Sequence, residues 1–450
     1  MKFRVEHDSM GELKIPFDAY YGIHTLRVKD NLSITKQKVH RQMIKSMAII
    51  KKASALANMD AGLLPLEYAK AIALACDDVL NGRFTAQFIV DAIQGGAGDS
   101  INMNINEVIA NRANEILGGQ RGDYSPIHPL EQVNLSQTAN DIIPAAGKMT
   151  TIFLVKKLMV ELKKLYKSFL DLANKYAKVS KMGRTHLQDA VPISVGQSFG
   201  AFASAINRDM KRLNEGLVEF EFISIGSSLP TGDKPATSIY TKKVVDRINE
   251  FSKMEFKQAH NVIDVTRNVD HFVYISSILN MLAIDLSKTA NDLRLMASSP
   301  FGEITLPVVY PPFNKNNPIG PEVVNQVCFQ VMGKNIIITK AAEAGQLELN
   351  AFVPLILANL FEEIDFLRRA CRVLRETSIE GLIVNEEKCI SYIENKNDII
   401  SILSNQIGFD VALSLADEAL SSNMSIEDLV VEKGLLSKKE LQKLIDKNKK

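Results

Sequence analysis

No run of eighteen apolar residues occurs anywhere in the 450-residue chain, which excludes a helix of the kind that crosses a bilayer. The first residues, MKFRVEHDSMGELKIPF, lack the apolar core of a secretory signal, so a soluble, cytoplasmic protein is expected. There is no excess of charge: Lys plus Arg total 53 against 52 Asp plus Glu, a formal net charge of +1. That balance argues against nucleic acid or another polyanion as a partner. Cysteine is scarce. Cys76, Cys328, Cys371 and Cys389 are scattered without C-x-x-C spacing, the usage of buried reduced thiols rather than of a disulfide or metal framework. Strand signals are few, and FISIGSS from Phe222 is the clearest of them.

What the chain does have is long helical periodicity. MIKSMAIIKKASALANMDAGLL repeats apolar residues every three or four positions, and Gly62 reads as its stop. From Met149 to Gly183 the stripe of Ile152, Leu154, Val155, Leu158, Leu162, Leu165 and Phe169 continues over many turns. Similar runs cover roughly 191–221, 262–298, 321–344 and 349–374. A helix of about 35 residues would be about 50 Å long, which demands neighbours laid alongside it. The expected class is mostly α, built on a long helix bundle. The tail from Ile399 reads as short helices.

Four polar stretches interrupt this pattern. In QGGAGDSINMNINEVIANR, three glycines allow close backbone approach, and Asp99 or Ser100 is placed to cap the next helix. NLSQTANDIIP sets Thr138, Asn140 and Asp141 before a helix, again with capping as the plain reading. KMGRTHLQDAVP crowds Arg184, Thr185, His186, Gln188 and Asp189 into six positions between two helices. YPPFNKNNPIGPEVVNQV carries Lys315, Asn317 and Glu322 among four prolines.

In this order, and with KIPFDAYYGIHTLR ahead of them, the stretches resemble the aspartase/fumarase superfamily, in particular its aspartases. NPIGPEVVNQVCFQVMG, AAEAGQLELN and the closing VVEKGLLSKKELQKL extend the resemblance over nearly the whole chain. It implies an N-terminal domain over 1–140, a central helical-bundle domain over 141–396 and a small C-terminal domain over 397–450. It also implies a homotetramer whose active sites are each shared by three subunits, acting on a small amino acid without an organic cofactor; no residue is read as a metal ligand. The reaction would be β-elimination through an aci-carboxylate, which needs a strong cradle of hydroxyls, amides and a lysine. Residue by residue, Thr185, Lys315 and Asn317 match the family's α-carboxylate contacts. His186, backed by Glu322, stands near the departing amine, and Thr138 and Asn140 complete the pocket. Arg27 is read as a salt-bridge residue at a surface or interface before a substrate contact.

Three departures stand out. The family's catalytic loop, G-S-S-x-M-P-x-K-x-N-P, is represented only by its K-x-N-P half, Lys315 to Pro318. The serine that serves as base is missing, and an ungapped count puts Tyr310 in its place. Gly226-Ser227-Ser228 in SIGSSLPTGDKPATS is a look-alike about ninety residues too early, where Thr231-Gly232 fits another family stretch. Ala139 replaces a hydroxyl residue, and Asp99 replaces the threonine that bonds the substrate's β-carboxylate. Two like charges about 4 Å apart at an effective dielectric near 20 repel by roughly 4 kcal/mol, about a thousandfold in affinity. The substrate would then differ from aspartate, or Asp99 would be the replacement base. Otherwise the chain is a silent paralogue with a binding or regulatory role, and a fumarase-type hydratase is a further alternative.

Overall fold

The computed structural model describes residues 2–226, 237–310, 317–394, 399–422 and 424–448. It is mostly helical, with only short two-stranded sheets among the described residues. The chain divides into two compact units, which are taken in turn.

The first unit comprises 1–166, 204–291 and 319–376. Its centre is a bundle, and buried polar pairs between the helices fix their register. Thr150 on the Ala139–Lys175 helix donates to Ser46 on the Arg41–Asp60 helix at 2.9 Å. Asn325 on the Ile319–Glu343 helix donates to Ser287 Oγ on the Asp270–Met296 helix at 2.9 Å. Ser276 in turn donates to Glu363 on the Val353–Leu374 helix. The same helices carry fully buried Ile50, Leu158, Leu279, Val324, Val331, Ile356 and Leu360. Each such side chain contributes about 1.5–3 kcal/mol by leaving water. Packing is close enough that a Cβ on Gly147 would meet Leu357 at 2.7 Å.

An antiparallel pair, Phe3–Asp8 with Gly11–Pro16, opens this unit. Arg27 makes a fork to Asp8, at 2.5 and 2.7 Å, and donates to the Gly11 carbonyl at 2.9 Å. It is the salt bridge the sequence suggests.

The second unit comprises 167–203, 292–318 and 377–450. Here the helical expectation needs correction. The periodicity predicts a helix from Met149 to Gly183, but that helix runs Ala139–Lys175, and the donor-rich stretch after it is a β-hairpin. Ser180–Thr185 pairs with Gln188–Ser194, and the next helix starts at Val195 rather than near 191. Of FISIGSS, Phe222–Ile223 forms a two-residue strand in the first unit, and Ser227 and Ser228 lie outside the described residues. The C-terminal helices enclose a small core of Leu403, Ala412, Leu415, Leu429, Val430 and Leu441, as short amphipathic segments should. No helix among the described residues is long and apolar enough to cross a membrane.

Candidate functional site

In the first unit, Asp99 begins the Asp99–Ile116 helix. It does not cap it, contrary to the sequence expectation: the N-cap is Gly98, which has no side chain to offer. Gly98 is there for a different reason. Its φ of +98° is unfavourable for any L side chain, and a Cβ would stand 2.8 Å from Ile143. The glycine loop therefore lies directly against the start of the Ala139–Lys175 helix, one turn from Asn140. This brings the first and second polar stretches onto neighbouring elements.

Asp99 keeps more than a third of its surface open, yet the protein around it raises its carboxyl above the ordinary value. His24 opposes that rise. Among the described residues no lysine or arginine forms an ion pair with Asp99. His24 is the residue the sequence reading passed over in YGIHTLR. Burial lowers its pKa, and its Nε2 is enclosed without a hydrogen-bond partner among the described residues. It is held by its own backbone: Glu107, itself buried, accepts from the N–H groups of Gly22 at 2.8 Å and His24 at 3.0 Å.

The segment leading to Thr138 is fixed by a buried polar cluster. Lys51, fully enclosed, donates to Asn134 Oδ1 at 2.8 Å. The same oxygen accepts from Asn102 at 3.1 Å and Asn106 at 3.2 Å. Asn58 donates to the Leu135 carbonyl and accepts from Ser136. Burial pulls the Lys51 ammonium down to about 7, because it has a neutral amide rather than a carboxylate as partner. Beyond the cluster, Thr138 Oγ1 accepts from the Asp141 N–H at 3.3 Å, the capping role expected of it. Asn140 is half-buried, and Pro144 has no N–H to offer its carbonyl, so the usual helical donor four residues on is missing there.

In the second unit, Thr185 and His186 sit at the exposed tip of the hairpin. The connection is two residues, His186 and Leu187, with φ of 55° and 61°. Positive φ at both positions suits the right-handed strand twist, but Asn-Gly is the usual way to achieve it. A histidine and a leucine held there carry backbone strain that neighbouring contacts must maintain, and such strain concentrates at functional sites. Those contacts are plain. Arg184 Nε donates to Asp189 across the hairpin at 2.8 Å, and its Nη1 donates to Glu303. Lys181 pairs with the other oxygen of Glu303 at 3.0 Å, and the guanidinium stacks on Phe301 and Tyr392. Arg184 is thus a structural anchor rather than a donor awaiting a ligand.

Asn317, exposed, lies two residues before the Ile319–Glu343 helix, and Glu322 is half-buried in that helix's first turn. Tyr310 is 54% exposed. Lys315 lies outside the described residues, as do Ser227, Ser228, Thr231 and Gly232. All four cysteines are buried and free, and burial raises each thiol, to about 11 for Cys389 and about 12 for Cys328. That is the opposite of a nucleophilic cysteine.

The chain matches a model of a lyase family over residues 11–333 and one of the fumarase C C-terminus over 399–449. It belongs to the aspartase/fumarase superfamily. An aspartate ammonia-lyase of a Bacillus species is 42% identical over 98% of this chain and 96% of its own. A fumarate lyase:delta crystallin from Brucella melitensis, solved bound to cobalt, is 40% identical with a TM-score of 0.91, covering 99% and 98% of the two chains. A class II fumarase from Schistosoma mansoni is 28% identical with a TM-score of 0.92 over the same shares.

Proposed function

We propose that this protein is an aspartase-type carbon–nitrogen lyase that eliminates ammonia or an amine from an amino acid. Its substrate bears a cationic or hydrogen-bond-donating group where aspartate carries its β-carboxylate. The observation that carries this reading is Asp99: an acid at the mouth of the glycine loop, beside the helix that presents Asn140, and with no basic ion-pair partner among the described residues. A second carboxylate brought there would be repelled, whereas an ammonium or amide would be attracted. Likeness to aspartate ammonia-lyases along the full chain supports the reaction class.

In this scheme Thr138 and Asn140 line one wall of the pocket. Thr185 and His186 enter from a hairpin tip, with His186 at the departing amine and Glu322 behind it. Asn317 and Lys315 receive the α-carboxylate. Exposure of the Thr185–His186 tip in the isolated chain fits a site completed by other copies in a cytoplasmic homotetramer. Because its carboxyl is raised above the ordinary range, Asp99 is also a better proton acceptor than a surface aspartate, which favours it as the base in place of the absent serine.

Substituting Asp99→Thr separates the two roles. If Asp99 sets specificity alone, L-aspartate binding improves by roughly ten- to a thousandfold, the Coulomb term discounted for partial exposure. If it is the base, turnover of the true substrate is lost while binding persists. No change in either binding or turnover would refute both roles.

A further inference from the structure

Within the first unit, a cavity of about 410 Å³ lies among Lys148, Glu219, Phe222, His260, Asp264, Asp270 and His271. Lys148 follows Asn140 by eight positions on one helix, which sets it about 12 Å further along the axis. The cavity is thus distinct from the candidate active site.

Its floor and its mouth differ in chemistry. Lys148 is 97% enclosed by its 3% exposure, and its one hydrogen bond among the described residues goes to the Phe222 carbonyl at 2.6 Å. An ammonium has three protons to give, so this leaves donor capacity in place. His271 is also buried, at 6% exposure, with Nε2 lacking any hydrogen-bond partner among the described residues. Burial and the neighbouring Lys148 charge drive its pKa far below the ordinary range, so the ring is neutral. Burial likewise draws Lys148 down to about 8, and Glu219, Asp270 and Asp264 keep it from falling further. Those three carboxylates are exposed, as are Asn261 and Asn268. A donor-rich floor beneath an acceptor-rich rim has the polarity of a bipolar ligand. A lone anion would meet three carboxylates on entry, and a lone cation would meet an ammonium at the bottom. Among the described residues no group of three His, Cys, Asp or Glu is arranged to hold a metal ion.

We propose that this cavity is a second binding site, for a small zwitterionic amino acid. The ligand's carboxylate meets the Lys148 ammonium, and its own ammonium meets Glu219, Asp264 and Asp270. The proposal does not depend on the lyase reading.

Equilibrium dialysis of the full-length protein against radiolabelled glycine, which has no Cβ and cannot be a β-elimination substrate, tests it, with methylamine and acetate as half-ligands. Amino-acid binding is expected, with both half-ligands at least tenfold weaker. Asp264→Asn with Asp270→Asn, both at exposed positions, should weaken amino-acid binding tenfold or more. Lys148→Met should do the same, Lys148→Arg should retain binding, and Asn140→Ala should leave it within twofold. Binding unchanged in the Asp264/Asp270 double variant overturns the proposal. So does methylamine binding as tightly as glycine, which would mark a simple cation site. Loss in Asn140→Ala with retention in Lys148→Met would place the bound amino acid in the active site and also overturn it, while leaving the lyase reading intact.

Discussion

Lys51 offers the sharpest physical prediction. It is fully buried and its partner is an uncharged amide, so its ionised form lacks the compensation a carboxylate would give. An ordinary lysine value of 10.5 brought down to about 7 corresponds to about 5 kcal/mol of lost stability at pH 7 and below, at about 1.36 kcal/mol per pH unit. The sign follows from proton counting. Between pH 7 and 10.5 the unfolded chain holds a proton that the folded chain has released, so folding stability from this group is full above 10.5 and is lost as pH falls towards 7. Lys51→Met removes the charge while leaving Asn134 Oδ1 with two donors, Asn102 and Asn106. Subtracting about 2 kcal/mol for the lost hydrogen bond leaves a net stabilisation of about 3 kcal/mol at pH 7. Urea denaturation of both proteins at one protein concentration, at pH 7 and pH 10, should show this advantage disappear at the higher pH. A variant less stable than the parent by about 1 kcal/mol or more at pH 7, or an advantage independent of pH, would refute the reasoning.

Two further substitutions probe the elements that carry the candidate site. Gly98→Ala places a Cβ against Ile143 at a φ of +98° and should cost roughly 2–4 kcal/mol from backbone strain and overpacking together, read as a lowered urea midpoint. A loss below about 0.5 kcal/mol would mean the loop moves freely away from the helix. Arg184→Met leaves buried Glu303 with Lys181 alone and should cost about 3 kcal/mol, the penalty for a partly uncompensated buried charge. The same variant should speed hydrogen exchange across Ser180–Ser194, and protection equal to the parent's would show that the hairpin is held by other contacts.

Much of the bundle was legible because burial on one face imposes a three-to-four-residue period that sequence alone displays. Arg41–Asp60, Ile319–Glu343 and Val353–Leu374 all fall close to the expected runs. The start of the Ala139–Lys175 helix was not legible, since Asn140, Asp141 and Pro144 read as loop punctuation. The hairpin was hidden for a different reason. SKMGRT and QDAVPIS have little β-branched alternation, and Pro192 is a poor strand residue. Contacts distant in sequence hold it: Arg184 and Lys181 to Glu303, and Arg184 to Tyr392. The chemistry-bearing positions Asp99, Thr138, Asn140, Thr185, His186, Asn317 and Glu322 came from motif resemblance, whereas Lys51, Lys148, His24 and His271 did not. A lone lysine or histidine in a helical run looks like a solvated residue until its burial is seen.

The most direct test of the functional account is ammonia release by the purified protein, with L-aspartate beside diamino, amide and aromatic amino acids. The account predicts release from a diamino or amide amino acid, with kcat/KM at least about a hundredfold above that for L-aspartate, equivalent to about 2.7 kcal/mol of discrimination at Asp99. Preference for L-aspartate would contradict the role given to Asp99, and silence with every amino acid from a folded protein would contradict the lyase itself.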